Sequence, residues 1–232
     1  MSRLSSFTSG MHAVVIGARG GIGAALATLL EADDRVTQVS RLGRHTGLDV
    51  TNPDSVTAAA AGLAAPPDLV ICTVGLLHAP DLAPERALRQ LDPAAMARSF
   101  AVNAIGPALI AQAFLPLLPR GRKTLFAALS ARVGSIADNR LGGWHSYRAS
   151  KAALNQLMRT MAIEQARRNP DSILLSLHPG TVDTDLSQPF HRSVPALLQP
   201  LQAARHLVDV INAATPDQSG QLLDWQGLVI PY

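Results

Sequence analysis

The sequence predicts an α/β fold: a doubly wound, mainly parallel sheet with helices on both faces, built as a single domain. Three observations predict it. Short apolar runs alternate with helical stretches from His12 onward, and connections of that length must cross over, which makes neighbouring strands parallel. The chain's 232 residues suffice for one well-buried core. Apolar residues make up 47% of the chain but aromatic ones only 4%, so Ala, Leu, Val and Ile must fill a core of closely packed helices and sheet.

The elements follow in order. Residues 1–10 are serine-rich and lack the apolar stretch of a secretion signal, so they are expected as a flexible arm before a domain spanning residues 11–232. Residues 12–16 form an apolar strand that stops at a glycine cluster, and residues 22–30 continue with helical character. Further strands are expected at 35–40 and in a short run ending at Asp49 and Val50. A helix follows Pro53, where proline suits the first turn, and the next strand, 68–72, comes after the Pro66-Pro67 break. A helix over 99–118 precedes a strand at 124–130, and a long helix over 147–168 precedes one at 172–177. The last helix is expected at 196–213, with residues 221–224 closing the sheet. In such sheets ligands bind beyond the carboxyl ends of the strands, so the informative residues should follow each strand.

Composition narrows the function. The net charge is only +3, and the short basic groups Arg120, Arg122, Lys123 and Arg167, Arg168 read as solvated helix ends rather than a nucleic-acid face. Cys72 is the single cysteine, which excludes an internal disulfide and a multi-cysteine zinc site and makes a reducing cytoplasm the simplest setting. The histidines lack metal-binding spacing with acidic partners, so no metal is implied. Residues 99–119 carry no charge over a length near the ~20 residues that span lipid. Asn103, Gly106, Pro107, Gln112 and Pro116 interrupt that run and favour a helix buried in protein over a membrane span.

After the first strand, Gly17, Gly21 and Gly23 surround Arg19 and Ile22 in a turn that reverses the chain into a helix. Without side chains there, backbone N–H groups can approach a pyrophosphate at the positive helix end, although a purely structural turn would use two of these glycines as well. No Gly-Lys-Ser/Thr follows, which excludes a P-loop nucleotidase. The second strand ends in Ser40-Arg41 with no carboxylate to grip a free ribose. Together with Arg19 this favours NADP over NAD, unless Arg41 is an ordinary surface residue. Tyr147 and Lys151, four apart, project from one helical face, so the ammonium sits near a phenol whose free pKa of about 10 would make it a poor base near neutrality.

The spacing of Gly17, Gly21 and Gly23, the Tyr147-Arg148-Ala149-Ser150-Lys151 word and the His178-Pro179-Gly180 loop together resemble the short-chain dehydrogenase/reductase superfamily. Within it, Gly142-Gly143-Trp144 and the stretch after His178 are most similar to the C-factor and sniffer-like branch, and the resemblance runs from His12 onward. It implies a Rossmann-type fold and hydride exchange between nicotinamide and a carbonyl or alcohol, with Tyr147 moving the proton and Lys151 also holding the ribose. It implies an adenine contact at Asp49-Val50, where a turn role is equally open. Gly75 keeps its place after the fourth expected strand, Asn103 would relay protons through water, and Pro179, Gly180, Thr181 and Val182 would hold the carboxamide.

Departures are visible. Ile16 stands where the family has threonine, Cys72-Thr73-Val74 replaces its usual asparagine pair, and Ala131 takes the place of the second serine. Ser130 is therefore the expected carbonyl-polarising hydroxyl, with Ser135 as its rival. The loops 76–80, 141–145 and 183–195 are expected to line the substrate site, and their apolar, small residues indicate a small, largely uncharged carbonyl compound. The resemblance also implies a homodimer through the helices bearing Asn103 and Tyr147. It leaves open a C-factor-like signalling or sensing protein that binds nucleotide with little turnover.

Overall fold

The structure, a computed structural model, describes residues 3–193 and 197–232. Residues 1–2 of the expected arm, the expected start of the last helix at Ala196, and the far end of the 183–195 loop lie outside that range. The strands are β1 (Met11–Ile16), β2 (Val36–Leu42), β3 (Leu69–Cys72), β4 (Thr124–Leu129), β5 (Ser172–His178) and β6 (Leu222–Asp224). The helices are α1 (Gly21–Glu31), α2 (Pro53–Ala61), α3 (Pro93–Phe100), α4 (Gly106–Phe114), α5 (His145–Arg168) and α6 (Pro200–Ala213). The strands form one all-parallel sheet in the order β2-β1-β3-β4-β5-β6.

Each face of the sheet carries its own core. Alternating side chains place Leu125 and Ile173 against Leu26 and Leu30 of α1 and Leu207 and Ile211 of α6. Their neighbours Phe126 and Leu174 meet Ile110 and Phe114 of α4 and Leu154 and Met158 of α5. Every residue of β1, β3 and β4 is buried, which explains why these strands read as unbroken apolar runs.

Three expectations are corrected. No strand ends at Asp49 and Val50. Asp49 Oδ1 accepts from Thr51 N and Oγ1, and Asn52 Oδ1 caps α2 through Asp54 N and Ser55 N, so side-chain bonds bend this segment before a ladder forms.

The apolar helix begins at Pro93, where Asp92 Oδ1 accepts from Ala95 N, and a π-helical turn at Ala101–Ile105 joins α3 to α4. By length and composition Pro93–Leu117 is apolar enough to cross a membrane. Here Ser99, Asn103, Ile110 and Phe114 are buried within the protein.

The arm is packed rather than loose from Arg3 onward, because its serines conceal two apolar anchors: Leu4 and Phe7 are 0% and 2% exposed. Arg3 pairs with Asp209 of α6 at 2.6 Å, and Ser6 N donates to Asn212 Oδ1. Lys123 Nζ donates to Ser6 Oγ and to the carbonyls of Ile211, Asn212 and Ala214 at the end of α6, 4.8 Å from the Phe7 ring centroid. Arg122 pairs with buried Asp68 at 2.7 Å. These contacts tie both cations to the fold, with Arg122 remaining exposed and Lys123 half-buried.

Candidate active site

At the end of β1 the chain turns on Gly17, whose φ of +87° suits glycine, and a Cβ there would stand 2.6 Å from Thr73 Oγ1. Thr73, just after β3, donates that hydroxyl to Ile16 O and Gly17 O, so it braces the turn where Ile16 offers no side-chain bond. A Cβ on Gly23 would collide with Gly17 O, so α1 can lie this close to the turn only with glycine there. α1 starts at Gly21 with no side-chain cap, which leaves its positive end, with Ile22 beside it and exposed Arg19 before it, for an anion.

At the end of β2, Ser40 and Arg41 face opposite sides of the sheet. Ser40 Oγ bonds His12 Nε2 at 2.9 Å, which turns it away from Arg41. Arg41 makes a two-armed pair with Glu31 of α1, both contacts 2.7 Å, and reaches Thr28 Oγ1. Exposed Arg44, two residues beyond β2, is the cation that sequence reasoning missed on this edge. Asp49 is exposed and bonded to Thr51, while buried Val50 packs against the backbone of Gly106.

α5 carries the proton-transfer face. Tyr147, Lys151 and Asn155 recur every four residues and all are buried, at 9%, 2% and 2% exposure. Burial pushes the Tyr147 phenol up to about 12 and the Lys151 ammonium down to about 8. Lys151 Nζ donates to Leu129 O at 2.8 Å and lies 5.8 Å from the Tyr147 ring centroid. Asn103 sits in the π turn and grips the main chain of Leu76 with both ends of its amide, Oδ1 accepting from Leu76 N and Nδ2 donating to Leu76 O. That amide also reaches Ser99 and Ser150, and Ser150 Oγ donates to Tyr147 O, so Asn103 ties the loop after β3 to the first turns of α5.

The two candidate serines differ. Ser130 borders the cavity, but its hydroxyl donates to Asn155 Oδ1 at 2.7 Å. Ser135 is buried, accepts from Asp138 N, and does not line the cavity. Asn155 was missed in the sequence, although its spacing of four from Lys151 was a usable signal.

A cavity of about 1260 Å³ gathers part of this set, while Gly17, Arg19, Gly21, Gly23, Ser40, Arg41, Asp49, Val50 and Asn103 are not among its lining residues. Ile22, Thr73 and Gly75 line one end, Tyr147 and Lys151 one wall, and Pro179, Gly180, Thr181 and Val182 the other. Gly180, at φ +80°, turns the β5 loop beneath Leu198 and Trp225, and His178 is kept neutral by burial, its pKa falling to about 4. The expected loops contribute Leu77 and His78, Leu141 and Trp144, and Phe190. The 82–86 segment was missed, and it holds the start of α5 in place. Glu85, 6% exposed, accepts from Ser146 N at 3.1 Å and from Ser146 Oγ, while its main-chain oxygen accepts from Trp144 N. Trp144 itself sits at a positive φ of 52° and packs edge-on against Tyr147 and Phe190.

A pattern described as short chain dehydrogenase matches residues 11–194. The chain belongs to that family. This short-chain oxidoreductase is 38% identical to the C-signal of Myxococcus xanthus over 146 residues, covering 63% of this chain and 84% of that protein. It is 33% identical to the 1-hydroxy-2-glutathionyl-2-methyl-3-butene dehydrogenase of Rhodococcus sp. over 189 residues, covering 80% and 79%. Among solved structures it is similar to a short-chain dehydrogenase/reductase from Burkholderia multivorans with bound NADP, with a TM-score of 0.79 and 26% identity over 97% of this chain and 100% of that one. The family fold is thus the observed one, a parallel sheet wound with helices on both faces.

Proposed function

We propose that this short-chain dehydrogenase uses NADP(H) to interconvert a small carbonyl compound and its alcohol, with Tyr147 exchanging the proton. One observation carries the reading: Tyr147 and Lys151 are buried together on the wall of a cavity that continues to Ile22 and Gly75 beside the glycine turn. The fit to a dinucleotide rests on a cradle that a Cβ on Gly17 or Gly23 would fill and on the uncapped end of α1.

Gly17, Gly21, Ile22 and Gly23 would hold the pyrophosphate, and Thr181 and Val182 the carboxamide. Arg19, Arg44 and an Arg41 released from Glu31 would hold a 2′-phosphate; the absence of any acidic residue from Ser40 to Leu48 and the NADP-bound relative support this choice over NAD. Asp49 would approach the adenine through the carboxylate oxygen that Thr51 does not use. The bound cofactor supplies or accepts the hydride.

In reduction, the Tyr147 hydroxyl, which burial keeps protonated, gives its proton to the substrate oxygen. Lys151, held by Leu129 O, compensates the phenolate that remains. Ser130 donates to the developing oxyanion once its hydroxyl turns from Asn155. Asn103, fixed on Leu76, keeps the relay beneath Lys151 in place. The exposed Ile105 and Leu117, which flank α4, and Ile163 of α5 support a homodimer through these helices, and the buried free Cys72 supports a reducing, cytoplasmic setting.

Tyr147→Phe is expected to lower turnover of a carbonyl substrate about a thousandfold while changing NADPH affinity little, measured by single-turnover absorbance and fluorescence titration. A variant that keeps most of its turnover would refute the assignment. The C-signal relative favours a second reading, nucleotide sensing. NADPH binding by the wild type without reduction of any member of a carbonyl panel would select that reading instead.

A further inference from the structure

The acid–base balance of the cavity wall is uneven. Among the described residues none that lines it is Asp or Glu, yet Arg86 and Arg148 both do, as does Leu141, which is 91% exposed. Asp183 and Asp185 lie exposed in the loop that lines the far side, and the other acids of the neighbouring segments are engaged elsewhere. Asp81 pairs with Arg98 at 2.8 Å, Glu85 turns inward to Ser146, and Asp138 pairs with Arg132.

Arg148 is fixed in place by main-chain oxygens alone. Its Nε donates to Gly142 O and Gly143 O at 3.2 and 3.0 Å, and Nη1 donates to Val133 O at 3.3 Å. Among the described residues, no protein acceptor meets Nη2 and no carboxylate meets the charge. Burial lowers its pKa with no acid opposing the shift. A cation partly removed from water, rigidly oriented and without a counter-charge is a ready partner for an anion. Arg86 follows Glu85 directly, is exposed, and its guanidinium makes no hydrogen bond or ion pair among the described residues. The same cavity is lined by two aromatic rings, Trp144 and Phe190, with centroids 4.9 Å apart.

We propose that the substrate bears a carboxylate set apart from its carbonyl by a flat apolar spacer, the carboxylate held by Arg148 and Arg86 while the carbonyl meets Tyr147. This rests on reading the cavity as a carbonyl site, and it replaces the uncharged substrate expected from loop composition. Two guanidinium forks in the lining recognise a planar carboxylate through paired charge-assisted hydrogen bonds, whereas the aromatic rings select the spacer.

The test compares 4-acetylbenzoate with its methyl ester, which share spacer and ketone and differ in charge. Dissociation constants are measured by calorimetry on the full chain saturated with NADP⁺, and reduction of both compounds by NADPH is followed separately. The acid is expected to bind about tenfold more tightly than the ester, with the ratio shrinking as salt rises from about 0.05 M to about 0.5 M. Arg86→Gln and Arg148→Lys each lower the acid-to-ester ratio, and the double variant brings it near one. Arg148→Lys retains charge but not the fork, and Arg86→Gln touches no main-chain bond of the 142–143 turn, so a folding defect does not mimic the result. Equal affinities in the wild type, no binding of the acid, or a ratio unchanged in the double variant overturns the proposal. Preferential binding of the acid without reduction of either compound retires the carbonyl-reduction reading and keeps the anion site; reduction of both with equal affinities does the reverse.

Discussion

Lys151 is a cation that the fold has taken out of water and bonded to one main-chain oxygen, that of Leu129. Burial lowers its pKa to about 8, so between that value and the ordinary lysine value the unfolded chain binds more protons than the folded one, and stability rises with pH across the window. Tyr147 runs the other way: its pKa near 12 means that stability falls as pH climbs from about 10 toward 12. Lys151→Met is therefore expected to stabilise the cofactor-free protein at pH 7 by about 1–3 kcal/mol, a gain that shrinks between pH 8 and about 10. Urea unfolding at pH 7 and 9.5 checks this, and an equal loss of stability at both values contradicts it. At this scale the sequence was legible in part. Tyr147, Lys151, Asn103 and the glycines announced themselves by spacing, and they line or brace one cavity. Ser40 and Ser130 did not show where their hydroxyls point, because that depends on His12 and Asn155, partners remote from them in the sequence.

The start of α5 depends on an element that follows β3 by more than ten residues. The Glu85 carboxylate meets the unpaired N–H of Ser146 in the first helical turn, where a negative charge also opposes the helix dipole. Its bonds to Ser146 outweigh burial and hold its pKa below the ordinary carboxylate value, so this stabilisation is present above that range and is lost as pH falls through the lowered pKa. Glu85→Gln is expected to cost about 1–2 kcal/mol at pH 7, with the difference from wild type closing under acid conditions; denaturation at pH 7 and pH 3.5 provides the comparison. A constant difference would assign the effect to packing. Most elements were readable from apolar periodicity, yet boundaries moved wherever a remote side chain capped a helix or a local Asx turn pre-empted a strand, as at Pro93 and Asp49. Such bonds are tertiary or depend on a few atoms, and periodicity does not record them.

At the scale of the molecule, residues 3–10 are part of the domain. Removing residues 1–9 strips Leu4 and Phe7 from the core and leaves Lys123 without Ser6, and it is expected to lower the melting temperature by about 10 °C, from roughly 3–4 kcal/mol of lost burial. Calorimetry on the truncated chain checks this, and an unchanged melting temperature would return these residues to the status of a loose arm. The fold class was legible because it follows from the succession of elements, whereas the docking of this segment was not, since six polar or small neighbours masked its two apolar anchors.

The same knot sets an order of events during synthesis. Arg3 and Ser6 find partners in Asp209 and Asn212, so residues made before the sheet are secured only by residues made after it. Until α6 has emerged, this segment can hold only to Asp33, Arg35 and the side chains of α1, and a premature stop before Asp209 leaves it with only part of its anchors.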